Sequence, residues 1–256
     1  MKKAKENLDY PFYNELPVQI PVMKWLVVMV AIVLGFIALT TRIPFIPLKV
    51  NEYLAPILFT GIPLVAFIWA SKGHANHLFR KITKNDVKWG VLFFIFNIIA
   101  TPIVGLILVY VVKVNTVADA VVNVFAELDS LGKVLMFVKM GIQLVGEELL
   151  TILPFLFILQ LCVVNFKLSR RAGIWIAFLV TAVIFGAIHL PTYHWNLVQA
   201  LVGIGLVRLV LTGAYMKTKN IWASSIAHIL NDYAITLFSL LTASSVAPFI
   251  MQHFIR

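Results

Sequence analysis

Charge is what this chain has least of. Only 12% of its 256 residues are Asp, Glu, Lys or Arg, and 11 are acidic. Soluble domains carry roughly a quarter charged residues, so a water-soluble globular core is excluded at the outset. The single cysteine, Cys162, sits inside an apolar run, which rules out both a disulfide framework and a cysteine–histidine zinc motif. No polar stretch is long enough for a separate soluble domain. There is also no internal repeat, low-complexity segment or lipidation signal.

What fills the chain is hydrocarbon: 61% of residues are hydrophobic and the mean hydropathy is +0.95. A spanning helix needs roughly 20 apolar residues. That ruler places spans near Trp25–Leu39, Leu54–Ala70, Trp89–Val112, Val134–Val164, Gly173–Leu190, Leu197–Met216 and Ile221–Leu241. The expected fold class is therefore all-α, a polytopic transmembrane helix bundle of about 7–8 membrane helices. Residues 1–24 form an N-terminal segment and residues 25–256 one transmembrane domain. The fourth run exceeds one crossing, as a tilted helix or as a short helix preceding the spanning one, with Pro154 placed to bend it. The apolar tail after Tyr233 has the composition to dip back or cross again.

The formal charge of +10 does not point to nucleic acid, because the basic residues lie in short clusters between apolar runs. They fall in alternate connections. Lys2, Lys3, Lys5 and Lys24 come first, then Lys72, Arg80, Lys81, Lys84 and Lys88, then Lys167, Arg170 and Arg171, then Lys217 and Lys219. The intervening connections hold Arg42 and Lys49, and then Lys113 and Lys133 offset by Asp119, Glu127 and Asp129. The positive-inside rule predicts a multi-pass protein of the cell membrane with a cytoplasmic N-terminus. About twenty polar residues separate the first lysines from the first apolar run, which is not the spacing of a cleaved signal.

Three acids need another explanation, because Glu147, Glu148 and Asp232 fall inside spans. A charge near the bilayer centre costs on the order of 3 kcal/mol, so it normally faces the protein interior, finds a partner and marks chemistry or transport. His228 and Asp232 are four residues apart on one helical face, bordered by Asn231. His189 closes the fifth span, with Phe185 one turn earlier and Pro191 just beyond. Glu147 and Glu148 point about 100° apart around their helix, so one is expected to work on water and the other to hold the architecture. Gly146 and the glycines at 203, 205 and 213 are expected to allow close approach of neighbouring helices.

Peptide hydrolysis needs a water, a base, and donors for the tetrahedral oxyanion, and these side chains supply all three. The same set fits a second mechanism, with Glu147, His189 and His228 around a divalent metal such as zinc that acidifies the water. The cofactor is thus either such a metal or none. Blander roles also fit: a polar knot for the paired glutamates, a helix cap for His189, and an interhelical clasp for His228 and Asp232.

In order and spacing these residues resemble the CAAX proteases and bacteriocin-processing enzymes, the CPBP or Abi family of intramembrane endopeptidases. Glu147-Glu148 match its paired acids, Phe185 and His189 its FxxxH motif, and His228 with Asp232 its third motif. The likeness runs from about Gly141 to Ile235, within a protease-like core of about 134–242. It implies a peptide or membrane-protein substrate met in the lipid bilayer, Glu147 as water-activating base, and His189 and His228 around the oxyanion. Asp232 stands where the family often has asparagine. The family's roles include bacteriocin self-immunity and peptide maturation. One departure matters: the arginine of EExxxR falls on Ile152. A buried Glu148 then needs a cation from elsewhere, and Arg208, the only arginine within a span, is the candidate, with Lys139 its rival. A noncatalytic immunity or scaffold protein on the same fold and a proton-coupled transporter are the alternatives.

Overall fold

The computed structural model describes residues 9–116 and 128–254 and is helical throughout, with seven helices among the described residues. In chain order α1 is Val22–Thr40, α2 Leu48–Ala70 and α3 Lys84–Leu106, the last continuing through a π-helical turn at Ile107–Val111. Next, α4 is Ser130–Gln160 with a π-helical end at Leu161–Asn165, and α5 is Arg170–Ile188. The sixth helix, α6, begins π-helical at Val198–Ile204 and is regular over Gly205–Thr218, and α7 is Ile221–Phe254. Six of these are long and apolar enough to cross a membrane, so the protein is a multi-pass membrane protein. Lys2, Lys3, Lys5, Glu6, Asp119 and Glu127 lie outside the described residues.

Local chemistry sets the helix starts. Thr83 and Asp86 make a reciprocal capping box at the head of α3, Asp129 accepts from the Gly132 amide at 2.7 Å before α4, and Ser169 accepts from the Ala172 amide before α5. The long fourth run is one continuous helix from Ser130, with Pro154 inside it. The apolar tail likewise continues α7 without turning back.

The fourth helix is the axis of the bundle. From Leu144 to Gln160 every residue except Val145 and Ile158 is buried, as expected of a helix apolar on all sides. By contrast α1, α3 and α5 bury one stripe and show Val, Leu, Ile and Phe outward, the pattern of helices facing lipid. Gly146 lets α2 close on α4. A Cβ there would stand 2.6 Å from the Phe59 ring and 2.7 Å from Thr60 Oγ1.

The N-terminal segment is more than a polar lead-in. Tyr10, Phe12, Tyr13 and Ile20 are buried, and Tyr10 packs on Phe155 and Tyr215 while Phe12 meets Phe67 edge-on. Gln160 pins this segment, accepting from Trp25 Nε1 at 2.9 Å and donating to the Ile20 carbonyl at 2.8 Å. Asp9 is salt-bridged to Arg170, and Lys219 lies 4.2 Å over the Tyr10 ring. Arg80 and Asn220 exchange hydrogen bonds with the backbone of each other's connections. The basic connections and the N-terminal segment thus share one end of the bundle.

Candidate active site

Glu148 is the node. Its Oε1 accepts from Arg208 Nη1 at 2.7 Å and from His228 Nδ1 at 2.9 Å, joining α4, α6 and α7 at a single oxygen. Both Glu148 and Arg208 are 0% exposed. Arg208 Nε donates to Thr212 Oγ1 one turn on, at 3.2 Å, and its guanidinium carbon lies 4.8 Å over the Phe185 ring. The planar cation is therefore held by a carboxylate, a hydroxyl and an aromatic face. Ile152, where the motif arginine would stand, is buried among apolar side chains. Lys139 instead interacts with Glu52, so the partner of Glu148 is Arg208.

Because a carboxylate oxygen without a proton only accepts, His228 Nδ1 is the donor toward Glu148. That turns Nε2 to the other side, where it stands 3.8 Å from Glu147 Oε2 and 3.8 Å from Asp232 Oδ2. The two glutamates therefore differ, as their 100° separation required. Glu148 is sealed, whereas the Glu147 side chain is 11% exposed and that of Asp232 34% exposed, both at the open edge. Gln143, one turn before Glu147, donates to its Oε1 at 3.0 Å.

His189 sits at the C-terminus of α5, half-buried. Its Nδ1 lies 2.7 Å from the Phe185 carbonyl. A carbonyl only accepts, so Nδ1 carries the proton and Nε2 is left free of that bond. Phe185 is the shared wall of the two imidazoles, with ring centroids 4.6 Å from His189 and 6.2 Å from His228. His189 also interacts electrostatically with Asp232. Glu147, Glu148, His189, His228 and Asp232, together with Phe185, Asn231 and Arg208, thus meet in one region, contributed by α4, α5, α6 and α7.

The proposed ligand set Glu147, His189 and His228 does not close on a single point. Among the described residues no group of three His, Cys, Asp or Glu side chains converges tightly enough to hold a metal ion. His228 Nδ1 is taken by Glu148 and His189 Nδ1 by a backbone carbonyl, which leaves only the two Nε2 atoms for any ligand.

Sequence reasoning passed over Asn97, Gln143 and Thr212. Gln143 and Thr212 are each one helical turn from a flagged charge, Glu147 and Arg208, and that spacing is the signal that would have found them. Asn97, a lone amide in the apolar run of α3, donates to Asn231 Oδ1 at 3.0 Å.

Apolar spans closed around a buried carboxylate, imidazole and guanidinium cluster define a polytopic membrane protein with an ionisable intramembrane core. Residues 131–234 match the family model described as type II CAAX prenyl endopeptidase Rce1-like. The match falls on the same segment, and on the same motif residues, as the likeness to the CAAX proteases read from the sequence. No curated protein and no solved structure matches the chain.

Proposed function

We propose that this protein cleaves a peptide, or the end of a membrane-associated protein, within the bilayer, using Glu147 as the base that activates water. The observation that carries this reading is the edge formed by Glu147 Oε2, His228 Nε2 and Asp232 Oδ2, with 3.8 Å between the imidazole nitrogen and each oxygen. A water seated beside that edge would be in reach of Glu147 and His228 together.

In the proposed step Glu147 takes a proton from water as its oxygen attacks the scissile carbonyl carbon. The carbon–oxygen double bond becomes an oxyanion, which the protonated Nε2 of His228 and the His189 imidazole stabilise. Collapse breaks the carbon–nitrogen bond, and Glu147 returns the proton to the leaving amine. Asp232 faces His228 and supports its positive form. Glu148 and Arg208 do no chemistry in this scheme; they hold the His228 ring in register. The cation supplied by Arg208 also weakens the noncatalytic alternative, which rested on the missing motif arginine.

The biological settings we propose are bacteriocin self-immunity and peptide maturation. Trimming of a prenylated C-terminus, the activity in the name of the matching family model, ranks after these two. The segment 9–21 and the basic connections would face the cytoplasm. Cleavage of a quenched peptide by protein in proteoliposomes tests the reading. Wild type should cleave, and Glu147→Ala and His228→Ala should bind without cleaving. Wild-type binding without cleavage would favour a scaffold, and proton flux a transporter.

A further inference from the structure

Asn97 lies on α3, outside the segment that matches the family model, and is 0% exposed. Its Nδ2 donates to Asn231 Oδ1 at 3.0 Å, and Asn231 Nδ2 donates to Asp232 Oδ1 at 2.9 Å. The other oxygen of Asp232, Oδ2, is the one 3.8 Å from His228 Nε2. Three polar side chains thus run in line from a lipid-facing helix to the open edge of the site. We infer that Asn97 is a positioning residue: by fixing the direction of the Asn231 amide it holds Asp232 against His228. The inference rests on the peptidase reading of that edge.

The two ends of an amide are chemically different, so the chain of bonds has a polarity. With Asn97 donating, Asn231 must present its own N–H to Asp232, where an ionised carboxylate accepts it. Reversed, the Asn231 carbonyl would face a carboxylate oxygen, two acceptors in contact. The reversal would also strand both N–H groups of Asn97 in an apolar interior, which is costly. In the arrangement present the Asn97 Oδ1 is left without a partner while its Nδ2 is bonded.

Helix glue alone explains Asn97 poorly. An interhelical amide is best used when both ends are satisfied, and here the acceptor end is unused while the donor is aimed at Asn231, which itself donates to Asp232. The close approach of α3 to α7 is provided separately, two turns earlier. A Cβ at Gly90 would stand 2.9 Å from the Ala223 carbonyl oxygen, so the helices pack there on backbone contact.

The test is a set of variants of the full chain in nanodiscs: Asn97→Leu, Asn97→Ala as the smaller replacement, Asn231→Leu, and each in an Asp232→Ala background. Outer-shell losses run about 10–100-fold. Asn97→Leu should therefore lower kcat at least about tenfold, with KM changed less than about twofold. Asn231→Leu should reproduce this, and the double variant should add nothing. In the Asp232→Ala background Asn97→Leu should have no further effect, because a relay that ends at Asp232 has nothing left to transmit. A loss of equal size in both backgrounds overturns the inference, as does wild-type kcat in Asn97→Leu. The ¹⁵N resonances of the His228 ring supply a readout independent of cleavage. If wild type does not cleave, the peptidase reading fails. The His228 resonances then decide the relay, which stands if Asn97→Leu or Asn97→Ala shifts them and falls if they stay put.

Discussion

Arg208 on α6 and Glu148 on α4 are 60 residues apart in sequence and 2.7 Å apart across the bundle, both sealed from solvent. The cation that the EExxxR pattern would place one turn after Glu148 reaches it from another helix. Helix α4 keeps an apolar Ile152 in its place, packed in the core.

Removing either partner leaves an uncompensated buried charge, which costs about 3–5 kcal/mol. Glu148→Leu and Arg208→Leu should each lower thermal stability sharply in detergent. The double Glu148→Leu, Arg208→Leu variant should regain most of that stability but no activity, because His228 Nδ1 would then have no acceptor. Exchanging the two residues should restore at least part of the folding lost in either single change. An exchange that restores none would show the pairing to be incidental.

The arginine should also be movable. Ile152→Arg combined with Arg208→Leu places the guanidinium four residues from Glu148 on the same helix face. This double variant should be more stable and more active than Arg208→Leu alone. A result no better than Arg208→Leu would mean that the contacts of Arg208 with Thr212 and Phe185 matter more than its charge.

Glu147 should behave differently from its neighbour. Its carboxylate is at the open edge and meets His228 only at 3.8 Å, so Glu147→Gln should leave the melting temperature close to wild type. Loss of a general base lowers kcat by about 10²–10⁴, and peptide turnover should fall by that amount. Retained turnover would transfer the role to another group.

Metal dependence separates two mechanisms. Since no three ligands converge among the described residues, cleavage should survive chelators within about twofold, while still requiring Glu147. Activity lost on chelation and regained with a divalent ion would make the protein a metalloprotease.

The Asp9–Arg170 contact at the opposite end from His189 should give an acid-sensitive element of stability. Burial works to raise the Asp9 pKa, but hydrogen bonds from Arg170, Tyr13 and the Tyr10 amide, with the charge of Arg170, outweigh it and hold it below its ordinary 3.8. A depressed carboxyl stabilises the fold fully above its ordinary pKa and progressively less as pH falls toward and through the folded-state value. Thermal melts of wild type and Asp9→Asn should therefore differ at neutral pH and converge below 3.8. A constant difference would assign the effect to packing.

The spans were legible because transfer into hydrocarbon is a local, additive property of the residues in a run. Trp25–Leu39 as read from sequence lies within Val22–Thr40 as folded, and the next five agree comparably, whereas the last helix runs on past Leu241 to Phe254. The packing of Tyr10, Phe12 and Tyr13 was not legible, because isolated aromatics in a proline-containing segment have no period to reveal a buried face. Asn97 was passed over for a related reason: nothing local distinguishes a bonded amide from one facing lipid.

By itself the sequence determined that this chain must span a membrane, that three acids within it need partners, and that adjacent glutamates cannot share a direction. Each of these follows from solvation or from the pitch of one helix. Only the tertiary structure decided that Glu148 is the sealed member and Glu147 the open one, and that Arg208 rather than Lys139 answers it. Helical pitch sets the angle between neighbouring side chains, but which helix lies across from each is set by how the whole bundle packs.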